Sequence, residues 1–77
     1  MIHQKLQDLP VVSFSDADAR IVTLLAKGYS DVCIANILYI TPPAVRSKIS
    51  VICRRYSASS RWHLVAIYLY NLYFLKT

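Results

Sequence analysis

Between Thr41 and Tyr56 the chain reads TPPAVRSKISVICRRY, and its polar side chains are built for binding rather than for making bonds. Arg46, Lys48, Arg54 and Arg55 place four cations within ten residues, with Ser47 and Ser50 set among them. Arginine offers a planar fork of donors that matches the guanine edge, and both basic residue types meet phosphate. At 100° per residue, Val45, Ile49, Ile52 and Tyr56 fall on one stripe of a helix. Pro43, Ser47, Ser50 and Arg54 fall on the opposite stripe, with Arg46 on one flank and Lys48 and Arg55 on the other. An apolar back, a small polar front and basic shoulders suit the groove of a nucleic acid.

Catalysis has no comparable constellation. The four aspartates lie at helix starts or in the N-terminal tail, and His3 and His63 lack a matching carboxylate or nucleophile. The serines gather at caps and in one short loop, where a hydroxyl has a structural use. Cys33 and Cys53 show neither metal nor redox spacing, so two reduced thiols in a cytosolic protein are expected. No catalytic residue, metal or cofactor is therefore predicted.

The surrounding elements follow from caps and periodicity. The 77 residues suffice for one small domain, and an apolar fraction of 56% is more than a monomer of this size easily buries. A net charge of +5 favours an anionic partner, and the scattered placement of the cations favours nucleic acid over a membrane surface. No signal peptide is read at the N-terminus, and the apolar run 62–75 is too short to span a bilayer. Residues 1–13 form a tail or a short helix, with Ile2, Leu6 and Leu9 at helical spacing until Pro10.

A first helix begins at Ser15, where Ser15-Asp16-Ala17-Asp18 has the form of a capping box. It buries Ile21, Leu24 and Leu25 and stops at Gly28. A second starts at Ser30 and turns Ile34, Ala35 and Leu38 inward. Tyr39–Ile40 make a turn, Thr41 caps a third helix running to about Tyr56, and Ser60 caps a fourth running from Arg61 to about Leu75. Helix four carries an inward stripe of Leu64, Val65, Tyr68, Leu72 and Leu75. A second, outward stripe holds Trp62, Ala66, Leu69, Tyr70 and Tyr73. The expected fold is all-α, a compact four-helix domain over 14–77 containing a helix-turn-helix. Either the N-terminal tail covers the outward stripe or a partner does, and the shortness of the tail favours a partner.

From Phe14 to Val65 the chain resembles, without a gap, the LuxR-type helix-turn-helix domain of bacterial transcription regulators. The resemblance runs through Phe14-Ser15, Ile21-Val22, Leu24 to Ser30, Ile34-Ala35, Leu38 to Thr41, Val45-Arg46, Ile49, Ile52, Arg61 and Leu64-Val65. It implies a DNA-binding transcription regulator that places helix three in the major groove of double-stranded DNA. Base contacts would fall to Arg46, Ser47 and Ser50, and phosphate contacts to Lys27, Thr41, Lys48, Arg54 and Arg55. The outward stripe of helix four, Trp62, Ala66, Leu69, Tyr70 and Tyr73, would join two copies or a copy and another regulator. No small-molecule ligand and no membrane contact are expected, and the site of action would be the cytoplasm, at the nucleoid. On this reading the module would act without the receiver or ligand-binding domain that usually accompanies it.

Three departures shape the alternatives. Cys33 replaces the glutamate of a capping box, Tyr39 replaces the turn glycine, and Val32, Ile37 and Val51 are apolar where the family is charged. A different use of the fold, as an antagonist or co-regulator that pairs with a larger regulator, draws on those apolar substitutions. A sigma factor-like promoter-binding region is a third reading, but it explains helix four less well.

Overall fold

A computed structural model of the chain describes residues 9–74. Four α-helices follow one another: α1 (Asp16–Ala26), α2 (Asp31–Leu38), α3 (Pro42–Arg55) and α4 (Arg61–Leu69). The last continues into a π-helical segment, Tyr70–Phe74. The fold is all-α and compact, as the sequence predicts, with no strand among the described residues. Helix α2 packs on α3, α1 on α4, and α3 on α4.

Every helix starts on a hydroxyl. Ser15, Ser30, Thr41 and Ser60 accept from the amides of Asp18, Cys33, Ala44 and His63, at 3.2, 3.2, 3.3 and 3.1 Å. Each bond satisfies one of the donors that a helix start leaves open, and each cap is worth about 1 kcal/mol. At α4 the imidazole of His63 reaches back one residue past the cap, with Nδ1 accepting from the Ser59 amide at 2.9 Å. At α1 the expected box is only half formed, because the Ser15 amide donates to Tyr56 Oη and the Asp18 carboxylate takes bonds from Arg55 and Tyr56.

Three of the helices end alike. Tyr29 N–H donates to Leu24 O, Ile40 N–H to Ala35 O, and Ala58 N–H to Cys53 O, at 3.2, 3.0 and 2.8 Å. These six-to-one bonds are Schellman closures, which need a left-handed residue just before the donor. Gly28 fills that place after α1 with φ of 89°, whereas Tyr39 and Ser57 fill it after α2 and α3 with φ of 59° each. The chain has a single glycine, so two of the three turns carry a steric cost.

Eleven apolar side chains from all four helices make the core: Ile21, Val22, Leu25, Ile34, Ala35, Val45, Ile49, Ile52, Tyr56, Leu64 and Ile67. The α3 stripe lies where periodicity places it. Two other stripes are rotated. In α1, Val22 is fully buried and Leu24 only partly, because the inward line runs 18–21–22–25 and includes Asp18. In α4, Ile67 joins Leu64 at full burial, while Val65, Tyr68 and Leu72 are half-buried; Leu75 lies outside the described residues, as do His3, Ile2 and Leu6.

The tail is fastened to the C-terminal end of α4 and the segment after it. Residues 10–14 run across it without helical structure, and the Asn71 side chain holds them. Asn71 Oδ1 accepts from Val12 N–H at 2.9 Å, and Nδ2 donates to Pro10 O at 2.9 Å and to Ile67 O at 2.8 Å. That last bond places a side-chain donor on the carbonyl that the regular ladder offers to the Asn71 amide, and the π-helical segment begins there. Phe14 then stacks on Tyr56 with ring centroids 4.1 Å apart and meets Tyr68 edge-on at 5.2 Å. The tail thus covers the inner edge of α4, and the outward positions Trp62, Ala66 and Tyr73 stay exposed, with Leu69 and Tyr70 half-buried.

Replacing Tyr39 or Ser57 by glycine relieves a left-handed side chain at the cost of a freer unfolded chain. Each variant is expected to gain about 0.5–1 kcal/mol. Urea unfolding of the two single variants and the pair measures this, and a loss of stability at either site would contradict the account of these turns.

Candidate nucleic-acid interface

Helix α3 turns Val45, Ile49 and Ile52 inward, which leaves Pro43, Arg46, Ser47, Lys48, Ser50, Val51, Arg54 and Arg55 on its solvent side. The base-reading candidates Arg46, Ser47 and Ser50 are all exposed, and Arg46 and Ser50 share a shallow groove with Ser59, Ser60 and Arg61. Ser47 and Lys48 line a second groove, between α1 and α3. The candidate phosphate ligands are more dispersed. Lys48 and Arg54 are exposed on α3, and Lys27 is exposed at the C-cap of α1.

Two of the expected phosphate ligands are altered by their surroundings. Arg55 faces back to α1, where its Nη1 pairs with Asp18 Oδ2, so it serves the fold before it serves a ligand. Thr41 was expected to bring the helix N-terminus to a phosphate through backbone amides. The next two residues are prolines, which have no N–H, and the Ala44 amide is already bound to the Thr41 hydroxyl. The start of α3 therefore brings a weakened anion site.

Two of the acids, Asp18 and Asp31, are matched to arginines. Asp18 is buried, a position that by itself raises a carboxyl's pKa. Hydrogen bonds from Arg55 and Tyr56, together with the Arg55 charge, outweigh burial and hold it below the ordinary carboxylate value. Tyr56 Oη donates to Asp18 Oδ2 at 2.8 Å and accepts from the Ser15 amide at 3.2 Å, so it completes the α1 cap by relay. Asp31 is also lowered, first by its hydrogen bonds from Arg61, against burial, and then by the charges of Arg61 and Arg46. Arg61 meets it at 2.6 and 3.3 Å, and Arg46 lies at 3.8 Å. Charge alone marks Arg61 and Asp31 in the sequence only as two residues thirty apart, and nothing local pairs them.

Both cysteines are free thiols, and burial pushes the Cys53 thiol up against the pull of Arg61, which keeps it protonated. Among the described residues no three His, Cys, Asp or Glu side chains gather as metal ligands, and no helix is long and apolar enough to cross a membrane.

Asp18→Asn and Tyr56→Phe should each destabilise the chain at neutral pH, by about 1–3 kcal/mol for the former. The sign with pH follows from a depressed native pKa. The contribution of Asp18 is complete above about pH 4 and is lost as pH falls through the lower native value. Unfolding curves of wild type and Asp18→Asn should therefore converge in acid, and a constant difference down to pH 2 would be inconsistent with this role.

Compared with known proteins, the chain matches no protein-family model, no curated protein and no solved structure.

Proposed function

We propose that this chain is a DNA-binding transcription regulator of the LuxR-type helix-turn-helix kind, with α3 in the major groove. One observation carries the reading. The outer side of α3 presents Arg46, Ser47, Lys48, Ser50 and Arg54 to solvent with no carboxylate on the same helix, in a chain of net charge +5. Cations there can neutralise phosphates, and the short serines leave room for the backbone of α3 to approach the bases. The turn of Tyr39–Thr41 between α2 and α3 is the length this motif uses. Arg46 is the candidate reader, and its side chain is 57% exposed.

Two copies would pair through α4 and the π-helical segment after it, where Trp62 is 72% and Tyr73 62% exposed and Ala66 is exposed as well. Large aromatic side chains of this kind are favoured at interfaces. Such a dimer would set two α3 helices against successive major grooves of a nearly palindromic site at the nucleoid. The activity is binding alone, without a catalytic step or a cofactor.

A second reading has its own support. Val32, Ile37 and Tyr39 are exposed on and after α2, Tyr39 to 94%, and none is needed for phosphate or base contact. On that reading the fold would bind a larger regulator as an antagonist or co-regulator.

Binding to random duplex DNA at a series of salt concentrations separates the two. Wild type should bind at low salt and weaken as salt rises, and Lys48→Ala or Arg54→Ala should each reduce the slope of log K against log salt by about 1. Arg55→Ala should lower thermal stability and leave that slope nearly unchanged. No binding even at low salt would dismiss the DNA reading and leave the protein-binding one. For the pairing surface, Tyr73→Arg with helicity retained should shift the chain toward monomer in sedimentation, and an unchanged dimer would remove α4 as the interface.

A further inference from the structure

Asp31 stands at the first position of α2, and arginines from two other helices reach it. Arg61, at the first position of α4, donates Nη1 to Oδ1 at 2.6 Å and Nη2 to Oδ2 at 3.3 Å. Two parallel bonds of this kind fix the plane of a carboxylate as well as its place. Arg46, from the outer side of α3, brings Nη1 to 3.8 Å from Asp31 Oδ2. The three groups therefore have an order in space. Arg61 anchors Asp31, and Asp31 lies against one corner of the Arg46 guanidinium. Asp31, between the two arginines, is the least exposed at 17%, against 30% for the Arg61 side chain and 57% for that of Arg46.

A guanidinium has five donors, and contact at Nη1 leaves the edge formed by Nε and Nη2 open. Guanine presents O6 and N7 in the major groove as a matched pair of acceptors. An untethered arginine loses rotamer freedom when it docks there, and a tether reduces that loss before the ligand arrives. At 3.8 Å the two groups are an ion pair beyond hydrogen-bond reach, so Asp31 biases where the Arg46 charge sits and leaves its donors free for a ligand.

We infer that Asp31, held in place by Arg61, is a positioning residue that sets Arg46 for guanine and makes guanine the preferred base at one position of the DNA site. This rests on the assignment of α3 as the DNA-reading helix. It also predicts an unusual pair of signs. Asp31 is an anion near the DNA surface, so its removal should raise affinity for random duplex while it erodes discrimination. A role in folding alone would lower both.

The test begins by selecting the preferred site of the full chain from randomised duplexes. The affinity ratio for that site and its guanine-to-adenine counterpart is then measured at one salt concentration. Wild type should show a preference of about tenfold or more at the Arg46 position. Arg46→Lys, which keeps the charge and loses the fork, should bring the ratio close to one. Asp31→Asn should reduce it several-fold at the same position, with random-duplex affinity equal to or above wild type, and should add nothing when combined with Arg46→Lys. Asp31→Glu, which retains the charge against Arg61 but shifts the carboxylate by a methylene, should fall between, and circular dichroism checks that each variant is folded.

An unchanged guanine ratio in Asp31→Asn overturns the positioning role. A larger ratio does so too, because Asp31 would then be restraining Arg46 from the base. If wild type binds DNA but no guanine preference depends on Arg46, the inference fails while the DNA assignment stands. If wild type binds no duplex at low salt, both fail together.

Discussion

A single phenol closes this small fold. Tyr56 is the C-cap of α3, and its hydroxyl stands between the Ser15 amide at the start of α1 and the Asp18 carboxylate one turn further on. Its ring takes Phe14 against one face. The hydrogen bond to a carboxylate and the stacked aromatic pair are worth about 1.5–3 and 0.5–1.5 kcal/mol in comparable settings. For a domain of this length those are large fractions of the net stability. The end of the candidate reading helix is thereby referenced to the start of α1, and the phenol sets how far α3 can roll. Thr23 and Tyr68 repeat the arrangement between α1 and α4, with hydroxyls 2.8 Å apart.

The same packing sorts the charges. Asp18 and Asp31 are the acids that the core draws partly or wholly inside, and each is met by an arginine from a helix distant in sequence. With Arg55 and Arg61 committed to them and Arg46 3.8 Å from Asp31, Lys48 and Arg54 are left on the outer side of α3, a helix with no carboxylate of its own. The positive surface is therefore a product of tertiary pairing as much as of composition. A chain with the same net charge and a different fold would distribute it differently.

Local rules carried far in this sequence. Four hydroxyl caps, the glycine after α1, the short turn before Thr41 and the apolar stripe of α3 were all readable, because each depends on neighbours within one or two turns. The Tyr39 turn was readable as a departure from glycine, while Ser57 gave no signal beyond a polar loop. Long-range partners were not readable. Arg55 looks like any solvent cation until α1 is placed beside it, whereas Ile67, three residues after Leu64, sits at plain helical spacing and belonged in the expected inward stripe of α4. The weakness of the α3 N-terminus as an anion site was legible after all, since Pro42 and Pro43 announce the missing donors. The positions at the candidate site were thus visible as residue types, and their allegiances were set by packing.

Asn71 treats the backbone of residues 10–12 as a sheet would treat a neighbouring strand, one acceptor and one donor to the same stretch of chain. The two partners are about sixty residues apart, so the contact joins the beginning of the described chain to its end. Long-range closures of this type are costly to form early and add little until the helices have met, which places this one late in folding. It also makes the strap and the final helical segment a single cooperative unit. Amide protons at Val12 and around Tyr70 would then exchange with solvent at a common rate, and release of either end would uncover Phe14 and Tyr68 while α2 and α3 remained folded.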